Sequence, residues 1–291
     1  MITAPSETPS SPSKGIRLFS LLNPVHIVRS LYKNRELIWN LTKREVKSTY
    51  QSSFLGVLWP VLVPLVMLLI YTFVFSVVFQ AKWSTGAGQE TPRGEFALIL
   101  FVGLTAFNLF SSVISKSPGL ILAVPNYVKK VVFPLEILPV VAVGAAFITS
   151  LINIVLILVG CLLVLHSLPT MALLLPLAYI PLILITLGLA WFLSSLGVFV
   201  RDIGQAIPVV VQILFFMTPI FYSADRVPDA LRFLVILNPL SSIVDGFRRV
   251  LIWNEFLDWP AWGIVTLVSA FVAILGFAWF SVTRKAFSDV M

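Results

Sequence analysis

The sequence predicts an all-α integral membrane protein with six transmembrane helices, and three observations carry that prediction. Of the 291 residues, 58% are hydrophobic and only 11% are charged, whereas charged residues make up about 25% of a soluble domain. Several apolar runs reach the roughly 20 residues with which a helix crosses a bilayer. The basic residues, which bring the net charge to +7, flank these runs instead of forming one patch. That distribution favours membrane anchoring over nucleic-acid binding.

The first segments of the chain are not predicted to span. Residues 1–23 are expected to form a disordered tail, because the first fifteen are rich in Pro, Ser and Thr and lack the apolar core of a signal peptide. Residues 24–53 are expected to form a cytoplasmic amphipathic helix that lies in the membrane interface. Its apolar residues recur mostly at helical spacing between basic ones, and they are Ile27, Leu31, Leu37, Ile38 and Leu41. A solvated, charged linker that only anchors the first span is the alternative.

Residues 54–291 are predicted to form the transmembrane domain. Its spans are expected at about 54–80, 96–115, 134–165, 169–199, 203–222 and 260–281. Pro176 and Pro181 predict a tilt or kink in the fourth span. With the amino terminus inside, the inner segments hold fourteen Lys and Arg residues and the outer segments six. The positive-inside rule therefore predicts that both termini are cytoplasmic.

The inner connector, residues 116–133, is too long for a simple turn and too apolar for a free loop. Pro118-Gly119 and Pro125-Asn126 bracket a short apolar piece, which predicts one or two short helices. Such a connector offers a surface to a cytoplasmic partner.

The outer segment, residues 223–259, is predicted to hold two short helices before the last span. Pro228 opens the first helix, Asn238-Pro239 ends it, and Ser241-Ser242 are expected to cap the second. Each has about ten residues and spans roughly 15 Å, which is half of a crossing. A re-entrant or interface-bound hairpin that acts as a gate fits this pattern, and two helices resting on the bilayer surface are the alternative. The predicted gate residues are Leu231, Phe233, Asn238, Pro239, Asp245, Arg248 and Arg249.

Chemistry that would make this chain an enzyme or an ion-coupled carrier is missing from its sequence. Glu136 and Arg201-Asp202 lie at span ends, so the apolar cores lack the carboxylates that ion-coupled carriers use. There is no phosphate-binding loop, and the single cysteine, Cys161, and two distant histidines make no metal or disulfide set. If the chain transports against a gradient, the energy must come from a partner.

Aromatic residues make up 13% of the chain, and several lie well inside the predicted spans. Lipid-facing belts are the default explanation for such residues. Their rings also stack on sugar C–H surfaces without strong, sequence-specific hydrogen bonds, which suits a conduit for a sliding polymer. The predicted channel-lining aromatics are Tyr71, Phe75, Phe107, Phe110, Phe215, Phe216, Phe221 and Tyr222.

Three stretches together resemble a known family. In the first, a basic stretch ends at Tyr50 and is followed by Ser53-Phe54-Leu55-Gly56, Trp59 and Pro64. The other two stretches are residues 125–140 and 237–251. The short run 219–223 also fits the same family. In order and spacing they resemble the type-two ABC exporter permeases for bacterial polysaccharides. Each motif is short, and their arrangement across residues 24–285 is what makes the resemblance specific.

The resemblance implies a permease that works as two copies with two separate ATP-binding cassette subunits. Those subunits would bind ATP and Mg²⁺, and this chain would carry no cofactor. The substrate would be an undecaprenyl-pyrophosphate-linked glycan such as O-antigen, capsule or teichoic acid, moved across the bacterial inner membrane. Basic residues of the entry helix would pair with the pyrophosphate, and the first and fifth spans would flank the channel. The residues implied to dock on the ATPase are Arg44, Lys47, Tyr50, Pro125, Asn126, Lys129 and Lys130.

Three other functions stay open at this point. A drug- or lipid-exporting permease of the same superfamily would share most of these features. A passive channel would not need an interface helix or a structured inner loop. A membrane-embedded transferase would need catalytic carboxylates or histidines at one membrane face, and His26 and His166 are predicted on opposite sides.

Overall fold

The computed structural model describes residues 24–50, 56–78, 84–85, 89–90, 92–126 and 133–290. The predicted tail at 1–23 lies outside this part of the chain. The described residues are helical apart from turns, connecting segments and one antiparallel ladder of two strands, β1 (Ser84–Thr85) and β2 (Gln89–Glu90). The all-helical fold class is thereby confirmed.

The amino-terminal region forms two helices, α1 (Pro24–Lys33) and α2 (Arg35–Tyr50). Thr42 of α2 is buried, and it packs where Gly144 leaves room for it on a later helix. The five predicted apolar positions of α1 and α2 are half-buried, whereas Tyr32, Trp39 and the basic residues between them are exposed. The amphipathic pattern is therefore present as predicted, and its placement in the membrane interface stays a prediction.

Among the described residues, four helical segments are long and apolar enough to cross a membrane. They contain α4 (Arg93–Lys116), α5 (Ile137–Val164), α6 (Leu175–Phe199) and α10 (Trp259–Thr283). Three of them extend into short 3₁₀ turns, at Ser117–Gly119 after α4, Thr170–Leu174 before α6 and Arg284–Ala286 after α10, and a last short helix, α11, covers Phe287–Val290. These helices match the second, third, fourth and sixth predicted spans.

The other two predicted spans contain shorter apolar helices. The first span holds a 3₁₀ turn at Gly56–Leu58, α3 (Trp59–Thr72) and a π-helical turn at Phe73–Val78. The fifth, predicted over 203–222, holds α7 (Ile203–Met217), whose 15 residues extend roughly 22 Å. Thr218 is extended and Pro219 follows it, which ends the helix. The number of six crossings therefore stays a prediction.

The outer segment contains α8 (Asp229–Leu237) and α9 (Pro239–Arg248), preceded by a 3₁₀ turn at Ala224–Arg226. A π-helical turn, Arg249–Trp253, extends α9. The two helices meet at a bend of 82°. The structure thus has two short helices with a break at Asn238-Pro239, and their role as a gate stays a prediction. The predicted cap at Ser241-Ser242 was wrong. Asn238 caps α9 instead, and its side chain accepts a hydrogen bond from the Leu240 N–H at 3.0 Å.

The core is built around α4, whose side chains are mostly buried among those of the other helices. Beside it, α6 and α10 run side by side in the same direction. At one end the Trp262 indole donates to the Leu177 carbonyl, and at the other Ser195 and Thr283 share a hydrogen bond. Midway the backbones touch, because a Cβ at Gly188 would lie only 2.6 Å from the Val272 carbonyl oxygen.

Contacts at the two ends of the bundle agree with the predicted sides of the membrane. At one end, Glu45 meets Lys116 and Glu136 meets Arg284, and all four were predicted to be inside. At the other end, the Asn254 side chain accepts from the backbone N–H of Met171; Asn254 lies in the predicted outer segment, and Met171 near the outer end of the predicted fourth span. The segments are therefore sorted as predicted, while the direction of the bundle relative to the cytoplasm stays a prediction.

Candidate functional site

A clamp of hydrogen bonds holds the irregular segment that follows α7. Arg248 is 2% exposed, and its guanidinium donates to the carbonyl oxygens of Pro219 at 2.7 Å and Ile220 at 2.9 Å. It also donates to the Ile99 carbonyl in α4 at 3.3 Å. Since non-helical backbone within a membrane needs its carbonyls satisfied by protein, Arg248 supplies what this segment lacks.

Two neighbours complete the clamp. The Asn238 amide donates to the Thr218 hydroxyl at 2.9 Å, which links the α8–α9 bend to the end of α7. Gly103 of α4 lies against the guanidinium, and a Cβ there would approach the Arg248 Nη2 to 2.8 Å. Of the predicted gate residues, Asn238 and Arg248 therefore anchor the outer segment to the bundle.

The remaining predicted gate residues lie nearer the surface. Leu231 and Phe233 of α8 expose about half of their side chains. Arg249 bridges two acids, with its Nε 2.9 Å from Asp245 Oδ2 and its Nη1 3.3 Å from Glu255 Oε2. Pro239 occupies the first turn of α9. The surface of the hairpin is thus mixed, because exposed apolar side chains of α8 lie beside ion pairs that Arg232 and Arg249 make with carboxylates.

Seven of the eight predicted channel-lining aromatics form one connected cluster. Phe221 is its centre and contacts Tyr71 and Phe75 of the first span and Phe215 and Phe216 of α7, with ring centroids 4.4 to 6.4 Å apart. Through Phe215 the cluster reaches α4, where the remaining two members are Phe107 and Phe110. Tyr222 lies beside it, and its hydroxyl donates to the Phe216 carbonyl at 2.9 Å.

The members of this aromatic cluster differ in exposure. Phe107, Phe110 and Phe221 are buried within the chain, whereas Phe216 is 58% exposed. Tyr71 and Phe75 are half-buried. The structure thus gathers the predicted rings, and only some of them offer a surface on which another molecule can lie. Their role as channel lining stays a prediction.

A polar stripe on α7 was missed by the sequence analysis. Gln205, Val209, Gln212 and Phe216 are all exposed and recur at helical spacing, so they share one face of the helix. Two amides on an exposed face within an apolar helix are unfavourable toward lipid, because hydrocarbon offers them no hydrogen bonds. The spacing of the two glutamines is visible in the sequence, but glutamine carries no charge and so does not stand out as an ionisable group within a span would. This stripe marks the face of α7 that fits water or a partner better than lipid.

A second polar feature is a cavity of about 230 Å³ between α2, α3, α4 and α5. Thr105 and Asn153 line it, both are buried, and the Thr105 hydroxyl and the Asn153 side-chain oxygen lack a hydrogen-bond partner among the described residues. Glu45 and Lys116, whose side chains form a 3.8 Å ion pair, also line it. The cavity is therefore polar where the surrounding helices are apolar.

Those predicted ATPase-docking residues that the structure describes lie at the inner end of the bundle. Arg44 and Lys47 are exposed on α2, next to the Glu45–Lys116 ion pair. Pro125 and Asn126 are exposed where the described part of the inner connector ends. The side chain of Tyr50 and all of Lys129 and Lys130 lie outside the described residues. Docking itself stays a prediction.

Glu136 joins four segments at the same end. It is 9% exposed, its Oε2 lies 2.6 Å from Arg284 Nη1, and its Oε1 accepts from the Ser30 hydroxyl at 3.1 Å. The Glu136 carbonyl accepts from the Trp191 indole N–H at 2.9 Å. The amphipathic helix α1, the start of α5, α6 and the end of α10 are therefore tied together at the predicted cytoplasmic end.

The chain is similar to known membrane transporters over most of its length. A family model described as "ABC-2 type transporter" matches residues 36–252. An O-antigen export system permease protein RfbA of Klebsiella pneumoniae is 27% identical over 261 residues, which are 88% of this chain and 95% of that protein. One of Myxococcus xanthus with the same name is 29% identical over 282 residues, which are 91% of this chain and 99% of that protein.

Proposed function

The chain belongs to the ABC-2 type transporter family, and on that premise we propose that it is the permease subunit of an ATP-driven polysaccharide exporter. Its cargo would be a lipid-linked, O-antigen-like glycan that crosses the bacterial inner membrane. The observation that carries the proposal is the similarity to permeases named for O-antigen export, which extends over at least 88% of this chain and 95% of those proteins. Similarity of that extent covers the spans, the inner connector and the outer segment together.

The work is divided between subunits in this proposal. The chain is a multi-pass membrane protein, and its sequence contains no phosphate-binding loop. Two ATP-binding cassette subunits would therefore bind ATP and Mg²⁺ and dock on α2 and the inner connector. The exposed Arg44 and Lys47, next to the end of α4, support that location.

Two copies of this chain would enclose the conduit, with α3 and α7 facing each other across it. Pro60 and Val211 are the buried residues of α3 and α7, so both helices lie at the edge of the bundle. The polar stripe on α7, with Gln205 and Gln212, favours a wet or partner-covered environment for this edge. Phe216 at the end of the stripe would offer a ring face to the passing sugars.

The proposed topology has six crossings with both termini in the cytoplasm. The Arg248 clamp supports a short fifth span. α7 ends before it has the length of a full crossing, and Arg248 satisfies the carbonyls of Pro219 and Ile220 in the non-helical segment that follows. The undecaprenyl-pyrophosphate end of the cargo would meet the basic residues of α1 and α2, which are exposed at the proposed cytoplasmic face.

Deleting the gene in its natural host tests the proposed function. We expect surface polysaccharide to disappear and lipid-linked glycan to accumulate inside the cell, and a plasmid copy of the chain to restore export. Surface polymer is measured by gel electrophoresis of cell-envelope extracts, and glycan on the carrier lipid by mass spectrometry. Unchanged surface polymer would contradict the proposal, and a changed content of simpler lipids or expelled drugs would favour the other exporters of the superfamily.

Charge reversal in the inner connector tests the docking sites. Lys129→Glu with Lys130→Glu is expected to abolish export and copurification of the ATP-binding subunit, while the chain still inserts into the membrane. Lys285→Glu, at the same proposed face but outside the connector, is the control. Normal export by the double variant would rule out the docking role.

A further inference from the structure

The inner connector is packed into the bundle on both of its sides. Ile121 lies in its first half and Leu135 two residues beyond its end, and both side chains are buried. They belong to a small apolar cluster that is separate from the core around α4. The other buried members of this cluster come from α6, α10 and α11, and they are Trp191, Val198, Phe277, Phe280 and Phe287. The connector is therefore held against α6 and α10.

The start of the connector also touches α6 through its backbone. A Cβ at Gly197, near the end of α6, would overlap the carbonyl oxygen of Pro118. Glycine at this position permits a close approach that any larger residue would prevent. Because close-packed groups leave little room for relative movement, a displacement of the 3₁₀ turn Ser117–Gly119 has to displace α6 as well.

Glu136 forms a polar junction where the connector joins α5. Its carbonyl accepts from the Trp191 indole of α6, and its carboxylate is held by Arg284 and Ser30. The Glu136 side chain is 11% exposed and that of Arg284 45%, so water screens their contact less than it screens a fully exposed pair. Arg284 follows directly after α10, and Ser30 belongs to α1. One carboxylate therefore ties helices near both termini to the proposed docking region.

The helices α6 and α10 continue this packing to the outer end. Their backbones meet at Gly188 and Gly276, and nearer the outer end Trp262 of α10 donates to a carbonyl of α6. There Tyr179 of α6 contacts the α8–α9 hairpin, because its ring lies edge-on to Phe247 of α9 with centroids 4.8 Å apart. A packed route thus runs from the connector through α6 to the hairpin, and contiguous contacts of this kind can couple distant sites.

We propose that Glu136 is a positioning residue that passes movement of the ATP-binding subunits from the inner connector to the α6–α10 pair and on to the α8–α9 hairpin. Its carboxylate keeps α1 and the end of α10 in step with the connector while ATP is bound and hydrolysed. The proposal rests on the proposed function, because it takes the inner connector as the docking surface.

Comparing export with ATP hydrolysis tests this role. Each variant is expressed with its ATP-binding partner in the deletion strain, and surface polymer per inserted chain is divided by the ATPase activity of the purified complex in nanodiscs. Glu136→Gln keeps the shape of the side chain but removes its charge. We expect it to lower this ratio by about fivefold or more, while the ATP-binding subunit still copurifies.

Asp289→Asn is the matched control, because it also converts a carboxylate to an amide at the same end of the bundle. Asp289 is exposed, and its carboxylate accepts from the neighbouring Ser288 hydroxyl. Its substitution should leave the ratio of export to hydrolysis at the wild-type value.

A role in stability alone gives a different result. It would lower the amount of complex, and export and hydrolysis together, so the ratio would not change. If Glu136→Gln does not insert, the partly exposed Arg284 provides the decisive pair. Arg284→Gln should lower the ratio, whereas Arg284→Lys retains the ion pair and should preserve it.

The proposal is overturned if Glu136→Gln keeps the wild-type ratio or loses the ATP-binding subunit on purification. Where the arginine variants decide, equal ratios for the two overturn it. Loss of surface polymer in the deletion strain would still support the proposed function in either case, whereas unchanged polymer in that strain would reject both proposals.

Discussion

Arg248 donates to three backbone carbonyl groups from a position that is 2% exposed. Its neighbour Arg249 is half-exposed and pairs with carboxylates. The two residues are adjacent in one helical run, and the sequence assigned both to the gate without distinguishing them. Only the structure separates them, because the carbonyls that Arg248 binds belong to residues distant in sequence. Its partner Gly103 had no local signal either.

The two arginines are therefore expected to respond differently to substitution. Arg248→Met retains an apolar stem and removes the donors, so the carbonyls of Pro219 and Ile220 lose their partners. The loss of these hydrogen bonds is partly offset because the variant no longer buries a charge. The substitution should therefore lower the free energy of unfolding by about 2–4 kcal/mol. Arg249→Gln removes partly exposed ion pairs and should cost about 0–1 kcal/mol. Thermal unfolding of the detergent-purified chain measures both, and equal losses would contradict the clamp.

At the scale of elements, apolar length predicted the four long helices closely. The predicted second span, 96–115, is observed within α4, and the predicted sixth, 260–281, within α10. Within the predicted fifth span, 203–222, the helix ends five residues early, because hydropathy does not register that Thr218 and Pro219 end a helix. The cap of α9 was misplaced for a similar reason, since Asn238, Ser241 and Ser242 are all good capping residues and tertiary contacts select among them.

The contact between α6 and α10 depends on glycine. A Cβ at Gly276 would overlap the Gly188 carbonyl oxygen, whereas a Cβ at Gly263, on the same helix, meets nothing within 4 Å. Gly276→Ala should therefore separate the two helices locally and destabilise the chain by about 1–3 kcal/mol. Gly263→Ala should be neutral or stabilise by up to about 1 kcal/mol. The midpoint of thermal unfolding measures both, and a Gly276→Ala variant as stable as Gly263→Ala would contradict this packing.

The polar stripe on α7 predicts a difference between two adjacent exposed residues. Gln212→Leu should leave insertion and stability unchanged or improved, because the helix becomes more apolar, and yet it should slow export of the polymer. Ile213→Leu changes a neighbour that lies off the stripe and should export normally. Surface polymer per inserted chain is the measurement. Equal export by the two variants would contradict a conduit-facing role for this side of α7.

At the scale of the whole molecule, the sorting of segments to two ends was predictable and the clustering of side chains was not. Counting Lys and Arg placed Glu136 and Arg284 on one side, and they form an ion pair. The aromatic cluster around Phe221 required three-dimensional contacts between residues of the first span, α4 and α7. Similarly, a cavity of about 850 Å³ beside the α8–α9 hairpin draws its carboxylates, Glu95 and Asp225 among them, from segments more than a hundred residues apart. Periodicity and charge bias act locally along the chain, whereas such sites arise from packing.

Labelling of two single-cysteine variants tests the direction of the whole bundle relative to the cytoplasm. Asp229→Cys, at the highly exposed start of α8, should react with a membrane-impermeant maleimide in intact cells. Ala123→Cys, exposed in the inner connector, should react only after the membrane is permeabilised. The native Cys161 is fully buried, so it adds little background. α4 connects the outer end of the bundle to the inner end, and six crossings place both termini on one side. Reversed labelling of the two cysteines would therefore invert the side assigned to every segment. Labelling of both cysteines from outside would reject the inner location of the connector, and with it the docking of an ATPase there.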